Sequence, residues 1–150
     1  MNRDDFASQA QASLAEHSLH IPERFHIAIM SEPFLSMVFD GRKTVESRFS
    51  INKTAPFKRV QTGDIVFMKH GQIVGAFTAT WVHYVNLEET PIDIIQQEYG
   101  PQIGASHTFW QQKSHARYAT LIGIGDVQTF NTPFSITKKD RRGWVSFGDL

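Results

Sequence analysis

The octet at residues 41 to 48, Gly-Arg-Lys-Thr-Val-Glu-Ser-Arg, places three cations and one carboxylate within eight residues. An amine beside other cations has its pKa lowered toward that of a useful base, and a neighbouring carboxylate can hold or relay a proton. Lys43 and Glu46 are therefore the candidate catalytic residues for a simple hydrolysis. Thr44 and Lys53 are secondary candidates.

A helix and a strand are predicted to position these side chains. The apolar segment 34–39 is typical of a helix, and Gly41 suits the left-handed conformation that ends one. In the strand that follows, Thr44, Glu46 and Arg48 point to one face. Lys43 lies at the turn, where its flexible side chain can reach the same cleft as Glu46. The spacing also has a purely structural explanation, an ion pair between Glu46 and Arg48 that closes one end of the fold.

Positive charge is concentrated in two parts of a chain whose net charge is zero. Residues 42 to 59 hold six basic residues against one acidic residue, and residues 138 to 142 hold four against one. Residues 86 to 98 are acidic, with no basic residue among them. If folding brings the basic segments together, one face suits a nucleic acid or a phosphate. The alternative is that both segments are solvated turns.

Aromatic residues accompany the basic ones. Trp144 follows Arg142 by two residues, and stacking on an aromatic ring contributes about 1–3 kcal/mol for each base of a single strand. A tryptophan in a terminal strand is also typical of a buried core. The candidate ligand-binding residues are Lys43, Glu46, Arg48, Lys53, Arg141, Arg142 and Trp144.

The octet fits the pattern Gly-x-Lys-x-x-Glu-x-Arg, which resembles the signature of the ASCH domain of the PUA-like superfamily. Further similarity to a bacterial branch of that family lies at 55–57, 62–64, 118–122 and 138–145. The resemblance spans about residues 26 to 147. It implies an α+β fold, a small PUA-like mixed or antiparallel β-barrel flanked by short helices, with an N-terminal helical extension. The expected division is residues 1–22 for the extension and 23–150 for the domain.

The resemblance also implies a function, an RNA- or nucleotide-binding cleft lined by Lys43, Glu46 and Arg48. Some ASCH members are hydrolytic, so a ribonuclease for single-stranded RNA is the first alternative. A second alternative is an amidohydrolase acting on acetylated cytidine, a modified nucleoside. That branch resembles this chain at Lys43 but has a threonine at the place of Glu46. The hydroxyl of that threonine is the proposed nucleophile of the branch, so this chain lacks it. A protein-interaction domain, using the acidic segment 86–98 or the N-terminal helix, is the third.

Length and composition bound these readings. A chain of 150 residues with 41% hydrophobic and 20% charged residues is typical of one soluble domain. Without cysteine, thiolate catalysis and thiolate metal ligation are excluded. Phosphate-binding loops, nucleophile elbows and His-Glu-x-x-His motifs are absent, so no cofactor or metal is expected. An acidic N-terminus and short apolar runs predict a cytoplasmic protein with no membrane partner.

The remaining elements follow from periodicity and turn residues. Residues 3 to 20 are predicted to form a helix with a thin apolar stripe, which packs on the barrel, pairs with a second subunit to form an oligomer, or frays. Gly75 predicts a bulge in a long strand, and Gly123 and Gly125 predict a smooth groove. The predicted strands are 25–30, 44–49, 65–68, 72–85, 117–127 and 143–147, and the later helices are 92–100 and 106–113.

Overall fold

The computed structural model describes residues 2–16, 21–136 and 142–148 of the chain. Within these ranges there are four helices and six strands. The helices are α1 (Arg3–Glu16), α2 (Phe34–Phe39), α3 (Ile92–Ile103) and α4 (His107–Gln112). The strands are β1 (Phe25–Ile29), β2 (Val45–Ser50), β3 (Ile65–His70), β4 (Gln72–Asn86), β5 (Tyr118–Phe134) and β6 (Trp144–Phe147).

The six strands form one mixed sheet in the order β2-β5-β4-β3-β1-β6. β1 and β3 are parallel, and the other neighbouring pairs are antiparallel. β4 and β5 are the longest strands, with 15 and 17 residues, and the sheet curls into a half-barrel flanked by helices. The predicted α+β class and the mixed, barrel-like sheet are therefore confirmed.

Apolar side chains fill the space between this sheet and each group of helices. α2 packs on one part of the sheet, and α3 and α4 cover another. α1 buries its stripe of Phe6, Ala10 and Leu14 against Phe25 and Phe67 of the sheet. The described helix ends at Glu16, and residues 17–20 of the predicted helix lie outside the described residues. The apolar stripe of α1 therefore packs on the sheet of its own chain, which is the first of the three alternatives given above.

The first turn of α2 is capped by an acidic side chain from the preceding turn. Pro33, the residue before the helix, makes no side-chain capping hydrogen bond. The carboxylate of Glu32 instead accepts a hydrogen bond from the backbone N–H of Ser36, at 2.8 Å, and another from the hydroxyl of Ser36. An acidic side chain therefore binds the donors of the first turn. α2 ends at Phe39, and Gly41 has a φ of +83°, as predicted for the turn into the octet.

α3 continues beyond the predicted end near residue 100. Pro101 lies within its last turn, and the helix ends at Ile103 with Gly104 in the left-handed conformation. Proline removes one backbone hydrogen bond near a helix end. Ile103 is fully buried in the core, and that packing holds the last turn in place.

The groove predicted at Gly123 and Gly125 is filled. A Cβ on Gly123 would lie 2.2 Å from Nε1 of Trp81, and one on Gly125 would lie 2.4 Å from Cγ2 of Thr80. These glycines therefore admit neighbouring side chains of β4 and leave no surface channel there. The bulge predicted at Gly75 is present as a register shift between β4 and β5.

Among the described residues, no helix has the length and the apolar character needed to cross a bilayer.

Candidate functional site

Arg48 lies where the curl of the sheet brings its two edges together. It belongs to β2, one edge strand, and its Nη2 donates to the carbonyl of Ile29 in β1 at 2.8 Å. Its Nη1 lies 3.5 Å from the carbonyl of Gly143, the residue before β6, which is the other edge strand. Arg48 thus bridges the seam of the half-barrel, which is the line along which β2 faces β1 and β6.

Two hollows meet at Arg48. The lysine hollow has a volume of about 270 Å³, and its lining includes Lys43, Glu46, Ser47, Arg48, Phe109 and Lys113. The arginine hollow has a volume of about 690 Å³, and its lining includes Arg48, Lys53, Arg59, Arg142, Trp144 and Ser146. Arg48 and Phe49 line both. The seam therefore presents two adjoining cavities with one arginine between them.

Glu46 stands between two cations at the edge of the lysine hollow. Its Oε1 lies 4.0 Å from Nζ of Lys43, and its Oε2 lies 3.8 Å from Nη2 of Arg48. The Glu46 side chain is 7% exposed and that of Lys43 is 2% exposed. Oε1 also accepts a hydrogen bond from the backbone N–H of Ser47. The three groups of the predicted motif thus lie together beside one cavity.

The amine of Lys43 is enclosed and held. Its Nζ donates to the carbonyl of Ile103 at 2.7 Å and lies 5.1 Å from the centre of the Phe34 ring. Burial lowers the pKa of Lys43 below its usual range; the Glu46 carboxylate raises it in part, and Arg48 adds to the lowering. A proton therefore leaves this amine more readily than an exposed lysine.

Ser47 supplies an unsatisfied hydroxyl to the same cavity. It is buried, and within the described residues its Oγ has no hydrogen-bond partner. A buried hydroxyl without a partner loses the hydrogen bonds it makes with water in the unfolded chain. Because Oγ is itself enclosed, a ligand atom can complete this bond only where the wall of the cavity shifts.

Thr44 lies apart from this group. The alternation of a strand placed it on the same face as Glu46, but β2 begins at Val45. Thr44 is exposed, its N–H donates to the carbonyl of Gln102, and it lines neither hollow. The predicted secondary catalytic role of Thr44 therefore has no support in the geometry.

The second basic segment reaches the same seam through Arg142. Arg142 and Lys53 are exposed and line the arginine hollow, with Nζ of Lys53 lying 5.6 Å from the centre of the Tyr118 ring. Arg141 lies outside the described residues, as do residues 138–140. Folding thus joins the described part of the two basic segments, which is the condition on which a nucleic-acid- or phosphate-binding face depends.

Trp144 forms a wall of the arginine hollow and is itself 2% exposed. Cζ of Arg48 lies 5.3 Å from the centre of its ring. At the edge of the ring, the indole Nε1–H donates to Nδ1 of His26 at 3.2 Å. Trp144 is therefore a buried support for Arg48, and it offers little ring surface on which a base can stack.

Sequence reasoning missed the buried polar group beneath the arginine hollow. Nε2 of His26 lies 2.8 Å from Oδ2 of Asp64, and Nδ1 lies 2.7 Å from Oγ of Ser146. Arg24 and the backbone N–H of Gln61 also donate to Asp64. These residues lie on separate elements far apart in sequence, so no local motif marks them.

Sequence reasoning also missed the far wall of the lysine hollow. Phe109 and Lys113 lie four residues apart at α4, and Nζ of Lys113 lies 5.3 Å from the centre of the Phe109 ring. Their spacing places them on one helix face, which is a usable signal. What the spacing does not show is that this face meets β2.

In the ranges that the structure describes, no cluster of three or more His, Asp or Glu side chains is placed to hold a metal ion.

No protein-family model and no curated protein matches the sequence. Solved structures do match. The ASCH protein of Zymomonas mobilis is 15% identical with a TM-score of 0.58, over 77% of this chain and 76% of that chain. A serine-to-alanine mutant of the same protein is 15% identical with a TM-score of 0.62, over 83% of this chain and 89% of that chain.

A protein from Enterococcus faecalis V583, described with the family model DUF984, matches as well. It is 12% identical with a TM-score of 0.55, over 85% of this chain and 91% of that chain. Similarity at these identities concerns the fold. The chain has the PUA-like fold of the ASCH domain structures, as the octet and its neighbours predicted.

Proposed function

We propose that this protein binds single-stranded RNA, or a nucleotide, across the seam of its half-barrel. The lysine hollow and the arginine hollow are two adjoining compartments of one cleft. A chain of nucleotides can occupy both, whereas a mononucleotide fills one.

The observation that carries the proposal is the position of Arg48, which lines both hollows. Its guanidinium is fixed by the carbonyl of Ile29 and by the ring of Trp144. A planar guanidinium held in this way binds phosphate oxygens through paired N–H groups with little loss of side-chain freedom. A phosphate between two nucleotides is the ligand group that suits such a position.

Charge in the arginine hollow supports a polyanion. Lys53, Arg59 and Arg142 line it together with Arg48, and no acidic side chain is among its described lining residues. Single strands are bound by basic grooves that follow the backbone. We assign Lys53 and Arg142 to phosphate contacts and Trp144 to the support of Arg48.

Fluorescence anisotropy with a short labelled single-stranded RNA tests this proposal. Each phosphate contact contributes about 0.7 to the slope of log affinity against log salt for single strands. Arg142→Ala and Lys53→Ala are expected to weaken binding and to reduce that slope. The matched control is Arg117→Ala, because Arg117 is exposed, pairs with Glu88 at 3.0 Å and lines neither hollow. Equal losses in all three variants would contradict the assignment of the seam.

A second candidate function, hydrolysis, is favoured by the content of the lysine hollow. The enclosed amine of Lys43, the Glu46 carboxylate and the unsatisfied hydroxyl of Ser47 line one cavity. In the proposed chemistry, Lys43 in its amine form accepts the proton of the attacking hydroxyl, which is the 2′-hydroxyl in RNA and a water molecule for acetylated cytidine. As the bond from phosphorus to O5′, or the amide C–N bond, breaks, the Lys43 ammonium returns that proton to the leaving oxygen or nitrogen. Glu46 stabilises the ammonium between the two transfers. A ribonuclease is the first form of this proposal, and an amidohydrolase acting on acetylated cytidine is the second.

Lys43→Ala and Ser47→Ala, assayed with RNA and with acetylated cytidine, separate binding from hydrolysis. Hydrolysis through this hollow predicts that turnover is lost in Lys43→Ala while RNA affinity in the arginine hollow remains. Circular dichroism establishes that the variant is folded. Turnover that survives in folded Lys43→Ala would remove the lysine hollow from the reaction.

A further inference from the structure

His26 is held in a single tautomer by two neighbours that each play only one role. The indole N–H of Trp144 can only donate a hydrogen bond, and it lies 3.2 Å from Nδ1 of His26. Nδ1 must therefore be an acceptor. The carboxylate of Asp64 accepts at Nε2 of His26, at 2.8 Å, and also accepts from Arg24 at 2.9 Å. The imidazole is thus neutral and carries its proton on Nε2.

This tautomer fixes the direction of the Ser146 hydroxyl. Oγ of Ser146 lies 2.7 Å from Nδ1 of His26, which carries a lone pair and no hydrogen, so the hydroxyl hydrogen faces the imidazole. The hydroxyl and the indole N–H of Trp144 share that one lone pair. The lone pairs of Oγ then face away from His26. Because Ser146 lines the arginine hollow, it presents an acceptor to that cavity.

A ligand group that binds to this acceptor must be a donor. Phosphate oxygens only accept, so they bind to Arg48 and Arg142, which line the same hollow as Ser146. A nucleotide offers two kinds of donor, the sugar hydroxyl and the N–H groups of the bases. In RNA the 2′-hydroxyl lies beside the phosphate on every residue, whereas base N–H groups vary with sequence. The juxtaposition with the arginines favours the sugar.

We propose that Ser146 accepts a hydrogen bond from a ribose 2′-hydroxyl and so makes the arginine hollow selective for RNA over DNA. This inference rests on the proposed function, because it assigns a ligand group to the same cleft. Asp64 and His26 act as positioning residues, since they orient the Ser146 hydroxyl without touching the ligand.

Three single strands of one sequence test the proposal by anisotropy: RNA, the 2′-deoxy strand and the 2′-fluoro strand. Fluorine can accept but cannot donate, so the 2′-fluoro strand separates donation from sugar shape. Wild-type protein is expected to bind RNA about threefold to tenfold more tightly than either analogue, the value of one neutral hydrogen bond. Ser146→Ala is expected to bind all three strands equally. Ser146→Thr keeps the hydroxyl and is expected to restore the preference.

The matched control is Ser135→Ala, an exposed serine outside the arginine hollow, which is expected to keep the preference. Absence of any RNA binding in the wild-type protein would overturn the proposed function itself. Binding of RNA and DNA with equal affinity would leave the RNA cleft in place and overturn only the role of Ser146. A preference that survives in Ser146→Ala would also overturn it. So would a preference that follows the base sequence, because the donor would then be a base.

Discussion

The guanidinium of Arg48 lies over the ring of Trp144, with 5.3 Å between Cζ and the ring centre. The two residues belong to opposite edges of the sheet, and their contact spans the seam. The hydrogen bond from Trp144 to His26 fixes the ring at its edge. The cation between the two hollows is therefore held by a ring that a buried polar group positions.

The first prediction concerns Arg48. Arg48→Lys keeps the charge but loses the planar fork that binds Ile29 and lies over Trp144. RNA binding is expected to weaken by about threefold to tenfold with an unchanged salt slope, because the phosphate contact remains electrostatic. Arg48→Ala is expected to weaken binding further and to reduce the slope by about 0.7. Anisotropy across a salt series measures both quantities.

Lys113→Ala is a useful comparison, because Lys113 lines the lysine hollow and does not line the arginine hollow. It is expected to affect a ligand in that hollow alone. An unchanged affinity in Arg48→Ala would remove Arg48 from the interface and with it the idea of one continuous cleft.

The octet was predictable because its geometry is local. Gly41 ends one helix and β2 begins four residues later, so Lys43 and Glu46 are brought together by the turn and the strand between them. The arginine hollow depends instead on contacts across the whole chain. His26, Asp64 and Ser146 meet only because β1 pairs with both β3 and β6, and that pairing order is not encoded in any single segment.

The burial of side chains in β2 could not be predicted from the alternation of residues along the strand either. The pattern of β2 predicted one charged face and one bulky face. In the structure Val45, Glu46 and Ser47 are all buried, because the curl of the sheet and α4 enclose the charged face as well. The enclosure is what changes the chemistry of Lys43, and it depends on residues more than sixty positions further along the chain.

The second prediction concerns pH and His26. Burial lowers the pKa of His26 below its ordinary value of 6.5, although the hydrogen bond to Asp64 opposes the shift. Below about pH 6.5 the unfolded chain therefore takes up a proton that the folded chain does not, so the free energy of unfolding falls as the pH falls. His26→Gln is expected to lack this loss. Urea unfolding at a series of pH values measures it.

Asp64 determines how the free energy of unfolding changes at lower pH, below 3.8, in the same experiment. Burial raises the pKa of Asp64, but hydrogen bonds from Arg24, Gln61 and His26 outweigh burial and bring it below 3.8. The stability that this carboxylate contributes is present above pH 3.8 and is lost as the pH falls through the lowered value. Asp64→Asn is expected to flatten this window. If His26→Gln keeps the wild-type slope just below pH 6.5, the assignment of that slope to His26 is wrong.

The third prediction concerns the packing of Gly75 against α2, the helix that precedes the octet. A Cβ on Gly75 would lie 2.4 Å from the carbonyl oxygen of Gln128 and 2.8 Å from Cε1 of Phe39, the last residue of α2. Gly75→Ala must therefore displace backbone or α2, and an expected loss of about 1–3 kcal/mol follows from overpacking. Gly143→Ala is the control, because its nearest neighbour lies at 3.4 Å. Chemical denaturation compares the two, and equal stabilities would contradict the close packing at Gly75.

The fourth prediction concerns Glu46 as the counter-charge of two buried or half-buried cations. Glu46→Gln leaves Lys43 and Arg48 without the carboxylate that lies 4.0 Å and 3.8 Å from them. The free energy of unfolding is expected to fall by about 1–3 kcal/mol, because a buried cation loses its partner. The pKa of Lys43 is expected to fall further, since Glu46 is the group that raises it.

A double-mutant cycle separates the contributions to this prediction. Glu46→Gln combined with Lys43→Met is expected to cost less than the sum of the single changes, because the isolated ammonium is then absent. Glu88→Gln is the control: its pair with Arg117 is exposed, and pairs of that kind contribute about 0–1 kcal/mol. Urea unfolding of the four proteins of the cycle and of the control gives every term. Should Glu46→Gln cost no more than Glu88→Gln, the carboxylate would not be a stabilising counter-charge, and its proposed role in stabilising the Lys43 ammonium would lose its electrostatic basis.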